Sequence, residues 1–305
     1  MLAYTAKRIC VALLVALTVS IISFGLLRLS GDLAQALAGQ SSTAADVEAL
    51  RKAYGLDRPL TVQYLEWAGK VLTGDFGDSF FFKEPVAKML AQRLPVTMLL
   101  GACALTFALV LAVPLGVVAA MRPNSWIDRL ALTLSVLGQA LPSFWFALML
   151  MIVFGLTLRW LPISGTGTWQ HFVMPSIALG YYATPAIMRL TRAGMMEVMA
   201  SDYIRTARAK GLRMPTVLFK HALRNAVIPV VALAAVQFGF MLGGSIVIET
   251  IFALHGVGYL AWESITRADF PVVQAIVLVL ASIYVVLTLL ADLLNAFLDP
   301  RIRIA

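Results

Sequence analysis

Eight of the 24 lysines and arginines in this 305-residue chain lie between Met188 and Val227: Arg189, Arg192, Arg205, Arg208, Lys210, Arg213, Lys220 and Arg224. Guanidinium and ammonium groups at that density recognise phosphates and carboxylates, on lipids or on a partner protein. Side chains suited to covalent chemistry are sparse. Ser143 and His171 are the tempting nucleophile and base at membrane depth. His171 sits at a helix edge with no carboxylate nearby in sequence to orient it. An intramembrane enzyme is therefore the competing class, carried on those two residues. No G-x-x-x-x-G-K-S/T run occurs, so the chain is not expected to hydrolyse ATP. Cys10 and Cys103 both fall in apolar stretches, as small fillers and not as half of a disulfide or zinc site.

The elements that must carry this charge are membrane helices. Hydrophobic residues make up 60% of the chain, charged ones 13%, and mean hydropathy is +0.86. One soluble core of this length cannot hide so much apolar surface. The net charge of +8 does not indicate nucleic acid, because the cations interrupt apolar stretches and form no stripe with interleaved aromatics. Six stretches are uncharged and apolar: Ile9–Leu27, Leu94–Met121, Leu130–Leu158, Phe172–Met188, Ala226–Ile248 and Phe270–Ala291. Most reach the roughly 20 residues that span a hydrocarbon core about 30 Å thick. The fourth is shortest and holds Pro175 and Pro185, which predict a kink. The first follows Lys7 and Arg8 like a signal peptide, but it is long and lacks an A-x-A-like cleavage site, so it is expected to be retained. The expected fold is an all-α membrane protein with six transmembrane helices.

Cation placement gives the orientation. An inside N-terminus puts Lys7, Arg8, Arg122, Arg129, the basic segment, Arg301 and Arg303 in the cytoplasm, and leaves Arg159 and Arg267 in the short outer loops. Both termini are then cytoplasmic. No fixed-period repeat and no inverted pairing of broken helices is visible, which argues against a secondary transporter built from inverted repeats. The chain divides into a first helix (1–29), an extracytoplasmic segment (30–93) and a core of five helices (94–300) that includes the loop 189–226.

Within that loop, Asp202 to Gly211 reads as a short helix. Asp202 is expected to cap it, Arg208 and Lys210 suit its C-terminal dipole, and Gly211 ends it. After Pro215, residues Thr216 to Asn225 read as a second helix. Its Val217, Leu218, Ala222 and Leu223 face the membrane helices, and its Lys220, His221 and Arg224 face water, headgroups or a partner. In the outer segment, Thr43 is the expected N-cap of a helix with Asp46 in its first turn. A turn and a second helix through Trp67 follow, and residues 72–79 are rich in turn-forming Gly and Asp. This segment reads as a small cap resting on the bundle.

The wording of these segments resembles the dipeptide/oligopeptide/nickel branch of ABC-importer permeases, which also includes glutathione transporters. The likeness rests on residues 202–212 (DYIRTARAKGL), 220–229 (KHALRNAVIP), 55–60 (GLDRPL), 74–79 (GDFGDS) and 237–249 (QFGFMLGGSIVIE). It departs from the branch where His255 precedes Gly256-Val257-Gly258 and where Leu33 follows Gly31-Asp32; the branch usually has proline at both places.

The resemblance implies a type I ABC-importer transmembrane domain in the bacterial cytoplasmic (inner) membrane. It implies a homologous second permease, two ATP-binding subunits that hold ATP and magnesium, and an extracytoplasmic substrate-binding protein as partners, with membrane lipid around them. This chain would bind no cofactor and no metal. The ATPase-coupling residues would be Asp202, Tyr203, Arg205, Thr206, Ala207, Arg208, Lys210 and Gly211. The solute would be a di- or oligopeptide, or alternatively a nickel chelate or glutathione. Polar groups at membrane depth usually face protein or a wet cavity. Such groups more often bond helix to helix, and the alternative use is a translocation path, for which the candidates are Gln139, Ser143, Tyr181, Gln237 and Ser245, with Phe240. Gly239, Gly243 and Gly244 would allow close helix packing or a narrow gate.

Overall fold

A computed structural model describes residues 2–29, 33–38 and 43–298. The expected Arg301, Arg303 and Gly31-Asp32 therefore lie outside the described residues. Among those described there are fourteen α-helices, two π-helical segments and no strand. Four helices are long and apolar enough to cross a membrane: α1 (Leu2–Leu29), α5 (Val86–Met121), α12 (Ile228–Ile251) and α14 (Phe270–Leu298).

The third and fourth apolar stretches are not single helices, and here the sequence reading needs correction. Leu130–Leu158 is split into α6 (Trp126–Ala140), α7 (Ser143–Leu150) and a π-helical continuation, Met151–Thr157. The break lies at Leu141-Pro142. A residue before proline is forced out of the helical region, and Leu141 has ψ 131°. The fourth stretch is divided into α8 (Gln170–Gly180) and α9 (Thr184–Met199), with Pro185 in the first turn of α9. Pro185 has no N–H to continue the ladder from α8. The kink expected there is a full interruption.

The core forms where α5 meets α8, α9 and α12. Ala104, Ala108, Ala112 and Ala119 of α5 are fully buried, a small-residue face that lets neighbouring backbones approach. At Gly180 a Cβ would fall 2.3 Å from the Ala104 carbonyl oxygen. Only glycine permits that contact between α8 and α5. At Gly239 a Cβ would meet the Tyr284 ring at 2.2 Å, so this glycine serves close packing of α12 on α14.

α5 starts at Val86, ahead of the expected Leu94. Its first turns place Val86, Met89 and Leu90 in a satellite cluster with α13 (Val257–Thr266) and the start of α14. α1 packs on α14, and Arg8 pairs with Asp292 at 3.0 Å. The start of the first helix and the end of the last therefore share one end of the bundle.

At the opposite end lie the short α2 (Leu33–Ala38), then α3 (Ala44–Ala53) and α4 (Leu60–Leu72). α3 begins with the expected Thr43 cap, completed to a capping box by Asp46. The Thr43 side chain and backbone N–H bonds hold the Asp46 carboxyl below the usual carboxylate range. α4 rests on α1 through Phe24, Tyr64 and Trp67, and the Ser20 and Tyr64 hydroxyls lie 2.7 Å apart. A turn with positive φ at Gly74 and Gly77 then leads to residues 79–81, which meet Asp269 just before α14. Asp269 accepts from the Ser79 hydroxyl, from the Phe80 N–H at 3.0 Å and from the Phe81 N–H at 3.3 Å. Arg267 lies over the Phe81 ring at 4.0 Å.

Candidate coupling site and translocation cavity

α9 leaves the core carrying Arg192. Its guanidinium grips Asp128 with two bonds, Nε to Oδ1 at 2.6 Å and Nη2 to Oδ2 at 2.7 Å. Asp128 is only 2% exposed and sits in the first turn of α6, where its N–H bonds the Ser125 cap. The Asn124 N–H also donates to it, at 2.9 Å. The guanidinium is the main reason the Asp128 carboxyl titrates below the ordinary carboxylate range, against the opposing pull of burial. Arg192 therefore does not belong to the free basic surface. The reading of the loop missed this pair, although Ser125-x-x-Asp128 is a legible helix-start signature.

α10 (Asp202–Ala209), the candidate lever, follows. Its cap is Ser201, with no side-chain bond, and not Asp202 as expected. Asp202 occupies the next position, where it suits the dipole and pairs with Arg205 at 3.3 Å across exposed surface. The helix ends at Gly211, φ +74°, with the Gly211 N–H on the Arg208 carbonyl and the Leu212 N–H on the Ala207 carbonyl. Those two bonds form a Schellman stop, which needs the left-handed residue that glycine supplies.

Ile204 and Ala207 are buried against Val117, Met195, Val217, Leu218 and Ala222. Of the eight expected coupling residues, only Ala207 is inside; Asp202, Tyr203, Arg205, Thr206, Arg208, Lys210 and Gly211 are exposed along one surface. Arg208 and Lys210 have no ion-pair partner among the described residues.

The second helix of the loop differs from expectation. Thr216–Leu223 is π-helical and runs into α11 (Arg224–Ala226). The wide i→i+5 winding returns Ala222 beneath Val217, and both are buried. Asn225 Nδ2 donates to the Tyr203 hydroxyl at 2.8 Å, which fastens the lever to the helix behind it.

A cavity of about 720 Å³ opens where α6 and α7 break, bounded by α8, the start of α9 and α12. Gln139, Ser143, Tyr182 and Gln237 supply its polar groups, and Leu141, Pro142, Phe240 and Met241 are among its apolar ones. No charged side chain lines it. Four of the six expected path residues thus line it: Gln139 and Ser143 from the α6–α7 break, and Gln237 and Phe240 from α12. Tyr181 and Ser245 do not line it. Tyr181 is buried and donates to the Leu141 carbonyl at 2.6 Å, satisfying an oxygen freed by the helix break. Ser245 is buried and donates to the Leu242 carbonyl of its own helix at 2.9 Å. Such a chamber offers a solute hydrogen bonds and apolar contact but no fixed charge.

The Ser143–His171 pair does not form. His171 Nδ1 accepts from the Thr168 N–H at 3.1 Å, and no hydrogen bond joins it to Ser143 among the described residues. Sequence reasoning also missed Glu249, a fully buried carboxylate at the far end of α12. It accepts from the Thr97 hydroxyl at 2.8 Å and the Tyr259 N–H at 2.9 Å, while Thr97 accepts from the Val257 N–H. Together they cap α13, whose own N-cap, Gly256, has no side chain.

Comparisons with known proteins agree with this architecture. Residues 112–304 match the family of binding-protein-dependent transport system inner membrane components, and residues 1–101 match the family covering the N-terminal part of such components. The glutathione transport system permease protein GsiC of Pectobacterium atrosepticum is 40% identical over 304 residues, covering 99% of both chains. The protein of the same name from Escherichia coli K12 is 39% identical with the same coverage. An inward-facing structure of the MetNI methionine ABC transporter aligns with a TM-score of 0.57 at 17% identity, over 69% of this chain and 96% of that one. This likeness is one of fold, the type I importer transmembrane domain. With its family matched along nearly the whole length, the chain belongs to the binding-protein-dependent ABC-importer permeases: a multi-pass inner-membrane transport subunit and not an enzyme, working with ATPase and substrate-binding partners.

Proposed function

We propose that the chain forms half of the membrane path for glutathione or a peptide of similar size. The observation that carries this reading is the full-length identity to glutathione permeases, 40% over 99% of both chains. The cavity agrees with it: 720 Å³ falls within the roughly 300–1,000 Å³ typical of small-molecule sites, and its uncharged, hydrogen-bonding lining suits a peptide backbone. Its open side would be completed by a homologous second permease.

The start of α1, the end of α14 and α10 lie on the cytoplasmic side. There the exposed face of α10, from Tyr203 to Gly211, docks onto one of two ATPase subunits, which hold ATP and magnesium. Nucleotide-driven closure of those subunits moves α10 as a rigid body. The buried Ile204 and Ala207, and the Asp128–Arg192 bond behind them, pass that motion to α5, α6 and α9, alternating the side on which the cavity opens. A binding protein delivers solute at the other end.

The test is reconstitution of the whole complex in vesicles with glutathione-loaded binding protein. Uptake of labelled glutathione above that of a free amino acid is expected. Replacing Arg205, Arg208 and Lys210 together by glutamate is expected to abolish uptake and release the ATPase subunits. Full uptake with retained ATPases would refute the docking, and uptake of neither glutathione nor peptides of similar size would refute the solute.

A further inference from the structure

Behind α10 is a second cavity, of about 630 Å³, of whose lining the transport reading uses only Tyr203. Tyr203, Lys220, His221 and Arg224 form its polar side, and Val227 and Val231 lie on its apolar side. No aspartate or glutamate lines it. Lys220 and Arg224 are exposed, one helical step apart, and form no ion pair among the described residues. The apolar side belongs to the start of α12, where the membrane span Ile228–Ile251 begins. Two uncompensated cations thus stand directly above a hydrocarbon wall.

We propose that this cavity is a binding site for an anionic phospholipid of the inner-face leaflet. The lipid phosphate lies between Lys220 and Arg224, with the first acyl methylenes along Val227 and Val231. The charge complements a phosphodiester, and cations at the edge of a span attract anionic headgroups. The apolar wall favours lipid over an acidic protein surface, which would have to bury carboxylates against valine. The cations facing away from the membrane, Arg208 and Lys210, remain for the ATPase. Because Tyr203 belongs to the lever and Val231 to α12, the bound lipid bridges the moving part and the span it moves. The inference depends on α12 crossing the membrane and not on the identity of the solute.

The test uses the assembled complex in vesicles of equal parts phosphatidylcholine and phosphatidylglycerol. After detergent extraction, retained lipid is counted by native mass spectrometry. Wild type is expected to keep phosphatidylglycerol in preference to phosphatidylcholine, and the Lys220→Gln/Arg224→Gln double variant to bind it about thirtyfold more weakly. The Arg213→Gln variant is expected to match wild type. Equal retention by the double variant would overturn the site. Displacement of the lipid by millimolar inorganic phosphate would overturn the lipid as occupant in favour of a free anion. Loss of the ATPase subunits with lipid retention unchanged would assign the surface to the ATPase instead. If the double variant fails to assemble, phosphatidylglycerol carrying a photoreactive acyl chain decides the matter on wild type. Labelling of residues 227–231 is expected, and labelling only elsewhere would refute the site.

Discussion

The two ends of this bundle are fastened by opposite strategies. At the far end from the lever, buried carboxylates gather backbone N–H groups. Glu249 holds the start of α13, and Asp269 holds the turn from Ser79 to Phe81. A buried carboxyl group satisfied by backbone and hydroxyl donors fixes geometry closely, since moving either partner strands an acceptor or a donor in a dry site. At the lever end, α10 lies on an apolar bed of Ile204, Ala207, Val217 and Ala222, and its polar groups face out. Apolar packing is non-directional and tolerates small sliding. One end is held by directional bonds to buried carboxylates and the other largely by apolar packing, with Asp128–Arg192 and Asn225–Tyr203 among its directional bonds; in the proposed cycle the second end is the one that moves.

The comparison breaks most visibly at Asp269. In Asp269→Ala, Ser79 and the Phe80 and Phe81 N–H groups lose a charged acceptor. Bonds of that kind are worth about 1.5–3 kcal/mol each, so a loss of at least about 4.5 kcal/mol is expected from the three. It would be measured as thermal unfolding of the assembled complex, with new protease cuts between residues 76 and 82. Unchanged melting would mean the far end is not held by this carboxylate.

Glycine substitutions sharpen the contrast within the core. Gly180→Ala places a methyl against the Ala104 carbonyl oxygen, and overpacking of this kind costs about 1–3 kcal/mol. Gly243→Ala meets nothing within 4 Å, and its stability is expected to equal or slightly exceed that of wild type. Equal melting temperatures for the two variants would contradict the close approach of α8 to α5.

At the lever end, Asp128→Asn is expected to cost less stability than the ~3–5 kcal/mol typical of breaking a fully buried pair, because the Arg192 side chain keeps 21% of its exposure. Its larger effect falls on coupling, seen as ATP hydrolysed per solute imported. The exchange Asp128→Arg/Arg192→Asp should restore part of that ratio if the bond transmits motion. The sign of the pH dependence follows from the lowered carboxyl pKa. The pair's contribution is fully present above the unfolded carboxylate value of about 3.9 and is lost as pH falls through the lower folded value. The stability gap between wild type and Asp128→Asn should therefore be constant from neutral pH to about pH 4 and close below it. A gap that closes near neutrality would assign the effect to another group.

What could be read from the residues in order was local. The helix start at Thr43, the stop at Gly211 and the apolar underside of the loop are set by neighbours within a turn, and the structure has all three. Pro142 was visible too, but a long apolar run masked the break it makes. Pairing across the fold was not legible. Ser79 and Asp269 are separated by 190 positions and Asp128 and Arg192 by 64, and no local pattern links either pair. The path residues were chosen for polarity alone, whereas facing the cavity depends on helix phase. Gln237 and Phe240 lie on the open side of α12, and Ser245 on its packed side. Arg192 looked like any other cation of the basic segment until its partner on another helix was in view.

The smallest effect belongs to the outer cap, and it separates local from global fastening at the same end of the molecule. Thr43→Ala removes the hydroxyl that accepts the Asp46 N–H and donates to the Asp46 carboxylate. The first turn of α3 should fray, seen as faster amide exchange at residues 44–47, while the melting of the whole complex stays unchanged. That outcome follows from exposure: water replaces the lost bonds at an exposed cap but not at Asp269. If Thr43→Ala lowered global melting as far as Asp269→Ala, α3 would be part of the cooperative core, and the rigidity of this end could not be ascribed to its buried carboxylates alone.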